Sequence, residues 1–237
     1  ATSRNLDPER IRGIRVGSIV DFEGLVVDSD NLQVRTTLFQ NRGKDEIFKR
    51  TGISCVEQIP SGANNGICRP QPLTNYRNLP GYTIEGIEVE SFYDSSRVFG
   101  SLSVSYIRGQ RDASPRNPWG PETWIAEIPP RKAVATLGVK VPEIDMALGW
   151  TGNFVRRQDR SPVDDDPLAT GWGLPKTQGY ALHGLFASWQ PKQVKGFEAR
   201  VTVDNLFNRE YEEGSFLNFY AYPGEPRTVQ VGISYTL

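Results

Sequence analysis

The side chains that do most protein chemistry are scarce in this chain. His183 is the single histidine, and Cys55 and Cys68 are the two cysteines. A His₂ or Cys₄ metal set cannot be built from them. A Ser-His-Asp triad would have to recruit His183. Glu88 and Glu90 are paired carboxylates of the kind that acid catalysis uses, but no nucleophile or cofactor motif accompanies them. No catalytic residue, metal ligand or covalently bound cofactor is expected, and the chain does not read as an enzyme. Asp164-Asp165-Asp166 offers oxygen ligands but lacks EF-hand spacing, so a solvated acidic tip is expected. The aromatic residues carry more. Trp119, Trp124, Trp172, Phe219, Tyr220 and Tyr222 fall in segments that also hold Arg111, Arg116, Arg156 and Arg157. Such rings either grip a flat ligand or a partner protein, or form an aromatic girdle with loops packed on one another.

The elements that must position these residues read as strands. Val229, Val231, Ile233 and Tyr235 alternate with Gln230, Gly232 and Ser234. Phe197, Ala199, Val201 and Val203 alternate with Glu198, Arg200 and Thr202. Ile144, Met146, Leu148, Trp150 and Phe154 share one parity, with Thr151 and Asn153 on the other. This period of two predicts half-buried strands. Nine are expected, over 14–25, 32–47, 83–93, 98–108, 132–141, 144–155, 179–190, 196–207 and 227–237. Parity changes near Glu85-Gly86, which predicts a bulge. No segment carries a helical period.

Charge and length narrow the class. With 27 Lys+Arg against 28 Asp+Glu among 237 residues, the chain lacks the basic surplus that nucleic acid selects. No apolar run reaches the ~18 residues of a membrane helix. Alternation fits a soluble sandwich, whose apolar face meets a second sheet, and equally a membrane barrel, whose apolar face meets lipid. Connection lengths separate the two. Short turns near Val27–Asn31, Asp94–Arg97, Pro142-Glu143 and Pro191–Lys195 alternate with long segments at 48–82, 109–131, 156–178 and 208–226. Short turns at one end and long loops at the other is the transmembrane barrel pattern. His183 shares a face with Leu185, Ala187 and Trp189, so a structural histidine on the lipid side is expected.

Four stretches carry a family resemblance. Val203-Asp204-Asn205-Leu206-Phe207-Asn208-Arg209-Glu210-Tyr211, followed by Arg227-Thr228-Val229-Gln230-Val231-Gly232-Ile233, resembles the closing strands of TonB-dependent outer-membrane receptors. Arg4-Asn5-Leu6-Asp7-Pro8-Glu9 is similar to a box of the same receptors, with Ser3-Arg4 where Asn-Pro is usual. Asn75-Tyr76-Arg77-Asn78 with Ile84-Glu85-Gly86-Ile87-Glu88-Val89-Glu90, and Gly179-Tyr180-Ala181-Leu182 running on to Ser188-Trp189, resemble two further strands.

The resemblance implies an all-β fold, an antiparallel transmembrane β-barrel segment supplying about nine C-terminal strands of a 22-strand plugged barrel. Residues 1–237 would be that C-terminal part, with the plug, the TonB box and thirteen strands elsewhere. The chain does not open on Met, as expected of a processed or cut chain. The setting would be the Gram-negative outer membrane, with the short turns periplasmic, the long loops extracellular and 1–13 the end of a fifth loop. Partners would be outer-membrane lipid, the TonB complex and an extracellular iron-bearing ligand or its carrier protein, with no nucleic acid. The stretch Glu127-Ile128-Pro129-Pro130-Arg131 leans towards haem, haemoglobin and haemophore receptors. A ferric chelate taken up by a siderophore receptor is the alternative within the family, and a soluble β-sandwich binding domain the alternative outside it. Ligand contacts would come from Trp119, Trp124, Trp172, Phe219, Tyr220 and Tyr222. Cys55 and Cys68 would form a disulfide in an extracellular loop, where such bonds persist. Lumen-facing Arg35, Glu88, Glu90, Asp145, Glu198, Arg200 and Asp204 would form an ion network facing the plug.

Overall fold

The computed structural model describes residues 6–58, 68–112, 123–125, 128–158, 176–214 and 221–236, and their side chains except those of 48–58, 68–75, 77, 123 and 214. The strands are β1 (Arg10–Glu23), β2 (Asn31–Gln58), β3 (Cys68–Asp94), β4 (Val98–Arg111), β5 (Thr123–Trp124), β6 (Lys132–Val141), β7 (Met146–Val155), β8 (Tyr180–Trp189), β9 (Phe197–Asp204), β10 (Glu212–Gly214), β11 (Ala221–Pro223) and β12 (Thr228–Tyr235). Nine of them form one meander in the order β1-β2-β3-β4-β6-β7-β8-β9-β12, every pair antiparallel. β5 pairs with the end of β4, and β10 with β11. Each expected strand corresponds to one of these nine.

Register sorts the side chains into two faces. One row runs Val98–Val139–Leu148–Ala187–Val201–Val231 across six strands. The next runs Gly100–Leu137–Trp150–Leu185–Val203–Val229, and at the other side of the sheet Val16–Leu38–Ile87–Tyr106 share the same face. These side chains are open: Val231 is 71% exposed, Leu137 60% and Val16 62%. The opposite face carries Arg35–Glu90–Ser103 and Thr37–Glu88–Ser105. No second layer covers the apolar face among the described residues, where the only buried hydrophobics are Leu79 and Ile125. The accessible surface is 16411 Å², against about 10,700 Å² for a compact soluble chain of this mass. A sandwich would bury this face; a single sheet whose apolar side lies open is built for lipid. Ten-residue strands such as β6, β7 and β8 span roughly 33 Å, or about 25 Å along the normal at barrel tilt. That is the height of the apolar band of such barrels.

The structure departs from the sequence reading at the long connections. Most of 48–82 is not a loop. β2 and β3 are 28 and 27 residues long and pair from Asn31↔Asp94 out to Gln58↔Cys68. Beyond Lys44 the hairpin runs past the ends of β1 and β4, and its sequence carries no apolar alternation to mark the strands. The first strand likewise starts at Arg10 rather than 14. There is no bulge at Glu85-Gly86, which pair without a break with Gln40 and Phe39 on one side and Arg108 and Ile107 on the other. Parity shifts there because Ile84 lies on the polar face. It is paired with Gly109, next to whose Cα pack Ile125 and Ile128. The ladder's irregularity lies between Cys55 and Gln58.

Candidate ligand-binding end of the sheet

All the long connections leave the sheet at one end, and short turns close the other. The turns are tightly built. Asp30 is almost fully buried, and its carboxylate accepts the backbone N–H groups of Leu25, Val26 and Val27 at 2.7, 2.8 and 3.0 Å and the Tyr93 hydroxyl at 2.9 Å. Burial pushes the Asp30 carboxyl up, but these four donors outweigh it and hold the group below its ordinary value. Arg97 reaches Glu143 across two turns at 2.8 Å, and Lys192 reaches Asp145 at 2.8 Å. The hydrogen bond from Arg97 lowers the Glu143 carboxyl, and that from Lys192 lowers the Asp145 carboxyl. Asp145 therefore belongs to a turn, with φ 55°, and not to the lumen network expected for it. Within that network the ion pair found among the described residues is Arg35–Glu90, at 3.4 Å.

At the long-loop end, polar clamps tie the strand ends together. Arg111 and Glu46 form a bidentate pair at 2.9 and 3.0 Å, each side chain about 15% exposed. Asn78 donates to the carbonyls of Asp7 and Asp45 at 2.8 and 2.6 Å and accepts from Asp7 N at 2.8 Å. The Tyr82 hydroxyl donates to Glu9 at 3.0 Å. Residues 7–9 are thereby fixed across β2 and β3. The exit of β9 is locked by buried Asn205, at φ 49°. Its amide donates to the carbonyls of Arg209 and Glu225 at 2.8 and 3.0 Å and accepts from Arg209 N at 2.8 Å. Asn208, also at φ 49°, accepts from Arg227 N at 2.9 Å. Asn tolerates the left-handed region and bonds locally. That is the physical content of the Asn205-Leu206-Phe207-Asn208 stretch: it turns the chain and ties it to the start of β12.

Of the expected ligand residues, Trp124 and Tyr222 are placed at this end. Trp119, Trp172, Phe219 and Tyr220 lie outside the described residues, as do Asp164, Asp165 and Asp166. Trp124 is half-buried on β5, and the Arg108 guanidinium stands 5.4 Å from its ring. Tyr222 is 42% exposed on β11, paired with Glu213 of β10. β5 continues the lane of β6 and β10–β11 springs from β9, three lanes away, so the two rings rise from separate connections. Sequence reasoning missed the ring pair Tyr180–Tyr211, with centroids 4.5 Å apart and the Tyr180 hydroxyl 3.2 Å from Glu213. Burial and the Glu213 charge raise the Tyr211 phenol above its ordinary value. The Cys55 and Cys68 side chains are outside those described; their backbones sit opposite Pro70 and Gln58 on facing strands. His183 lies on the apolar face, paired with Gly152. Trp150 Nε1 donates to its Nδ1 at 3.2 Å, and Phe154 and Phe207 approach edge-on at 5.8 and 5.4 Å. An imidazole held this way is a packed aromatic, turned away from the polar face.

Comparison with known proteins agrees with this geometry. A family model described as TonB dependent receptor-like, beta-barrel matches residues 1–206. The chain is 53% identical over 212 residues to TonB-dependent heme receptor A of Haemophilus influenzae, covering 89% of this chain and 28% of the relative. It is 50% identical over 235 residues to the Haemophilus ducreyi protein of the same name, covering 99% of this chain and 31% of the relative. The chain thus spans less than a third of the length of these relatives. Among solved structures, the copper transporter OprC superposes with TM-score 0.67 at 18% identity, over 98% of this chain and 32% of that one. The Serratia marcescens hemophore receptor HasR, in complex with HasA and heme, does so with TM-score 0.64 at 22% identity, over 97% and 32%.

Proposed function

The chain belongs to the family of TonB-dependent receptor-like β-barrels of the outer membrane, and on that premise we propose that it forms the C-terminal part of a receptor that binds and imports haem. The observation that carries this reading is 50–53% identity to proteins named as haem receptors, running over 89–99% of the chain. Solved relatives at 18–22% identity speak for the fold and not for the cargo. In this reading the short, ion-laced turns face the periplasm and the long connections face the medium. Trp124 and Tyr222, with Trp119, Trp172, Phe219 and Tyr220, supply apolar faces for a flat macrocycle or its carrier. The clamps at Arg111–Glu46 and Asn205 hold the strand ends that carry these connections. Energy for import comes through the TonB complex acting on a plug outside this chain. Paired carboxylates Glu88 and Glu90 then serve as lumen wall facing that plug.

The test is made on the full receptor. Deleting 113–122 or 215–220, in turn, should weaken haem binding followed by the Soret band, and slow growth on haem as sole iron source. Trp124→Ala and Tyr222→Ala should each weaken it about 3- to 10-fold, the value of one aromatic contact. Wild-type haem affinity in both deletions would remove these connections from the site. A receptor that binds no haem but takes up a ferric chelate would remove haem itself.

A further inference from the structure

Two arginines, Arg131 and Arg156, stand where the apolar face meets the long-loop end. Arg156 N donates to Arg131 O at 2.9 Å, extending the β6–β7 ladder one residue past Lys132↔Val155. Alternation places both side chains with Ala133 and Phe154, on the lipid side. Both residues are exposed. Like charges directly opposite across a strand pair repel, and among the described residues no carboxylate pairs with either. The Arg131 guanidinium lies 4.1 Å from the centre of the Tyr106 ring of β4, on the same face of the sheet. A concavity of about 300 Å³ opens at their feet, lined by Val104, Ala133 and Phe154. From there the small side chains of Ala133 and Ala135 lead along β6 towards a second apolar concavity of about 700 Å³, lined by Leu137, Leu148 and Val201. Eight residues from Arg131 to Val139 make roughly 26 Å along the strand, enough to cross one hydrocarbon leaflet of about 15 Å even when tilted.

We propose that Arg131 and Arg156 hold the phosphate of an anionic lipid from the leaflet at the long-loop end, with one acyl chain lying along the Ala133–Ala135 lane. Charge complementarity selects this occupant. A phosphate between the two guanidiniums removes their repulsion and accepts paired hydrogen bonds from each. Ala133 and Ala135 keep the β6 side of this lane low. The site needs the apolar face to meet the membrane and does not depend on what the receptor imports.

Native mass spectrometry of the full receptor, in detergent micelles doped with phosphatidylglycerol or phosphatidylcholine of the same chains, tests it. The wild type should retain phosphatidylglycerol in preference. The Arg131→Gln/Arg156→Gln variant should lose at least about tenfold of that retention. Ala135→Trp, which fills the lane without touching charge, should do the same. Heat-dependent gel mobility shows that each variant has folded. Either folded variant retaining phosphatidylglycerol like the wild type would overturn the site. So would equal retention of phosphatidylcholine, or inorganic phosphate binding as tightly as the lipid. Haem titration of the same samples should show unchanged affinity, so a failure here and a failure of haem binding read out separately.

Discussion

Single residues decide the turns and the loop clamps. Asp30 is the clearest case, one buried carboxylate against three backbone N–H groups and a tyrosine hydroxyl. Because its folded value is depressed, its contribution is fully present above the ordinary carboxylate range. It is lost as pH falls through the folded value, below about 3.8. Asp30→Asn removes the charge that three amides point at. Amide exchange at Leu25, Val26 and Val27 should become faster at neutral pH and lose its acid-range pH dependence; unchanged exchange would mean the turn holds without the charge. None of this was legible beforehand, since Asp30 looks like any turn aspartate until Tyr93 is brought beside it by β3. The cysteines are the opposite case, argued from sequence and family setting alone. Thiol labelling of the unreduced full receptor should leave both Cys55 and Cys68 unmodified. In the chain-entropy model a bridge between them adds about 3 kcal/mol for so short a loop. Quantitative labelling of both would dispose of the disulfide.

Elements are joined by a repeated device on the polar face. Gly138 and Gly149 are paired across β6 and β7. Phe99 from β4 lies over Gly138, and Phe186 from β8 over Gly149, their rings 6.2 Å apart. Phe39 covers Gly86 in the same way. A ring on a strand glycine restores the side-chain packing that the glycine lacks. The approach is so close that a Cβ at Gly138 would clash with the edge of the Phe99 ring. Gly138→Ala should therefore destabilise the folded receptor by about 1–3 kcal/mol, as overpacking does. With Phe99→Leu already in place the same change should cost much less, a non-additivity that urea unfolding of a double-mutant cycle reads directly. Additive effects would show that ring and glycine do not touch. At this scale the sequence announced the strands, because alternation survives wherever one face meets lipid. It misplaced the ends of β2 and β3, because beyond Lys44 the residues carry no apolar alternation. It assigned Asp145 to the wall, because a turn residue at φ 55° keeps the parity of the strand beside it.

At the scale of the molecule, the apolar side chains form rows six strands wide with no layer above them among the described residues, and the last prediction tests what fills that space. Val231 and Leu148 stand in one such row, Gln230 pairs with Thr202 on the opposite face, and Thr151 pairs with Thr136 there. An arginine on the lipid face costs about 2–4 kcal/mol at the midplane and less near the interfaces. On the polar face, water and carboxylates such as Asp204 can solvate it. Val231→Arg and Leu148→Arg should therefore impair membrane assembly of the full receptor, while Gln230→Arg and Thr151→Arg should assemble. Sensitivity of the apolar positions alone would not separate lipid from a protein layer, because either is hostile to a buried charge. A nitroxide label does. At position 231 it should be relaxed by oxygen dissolved in the bilayer, and at position 230 by a water-soluble nickel chelate. A protein layer over the apolar face would shield position 231 from both reagents, and a soluble sheet edge would expose it to the chelate. Relaxation by bilayer oxygen at 231 with chelate access at 230 requires the open face itself to be the membrane surface.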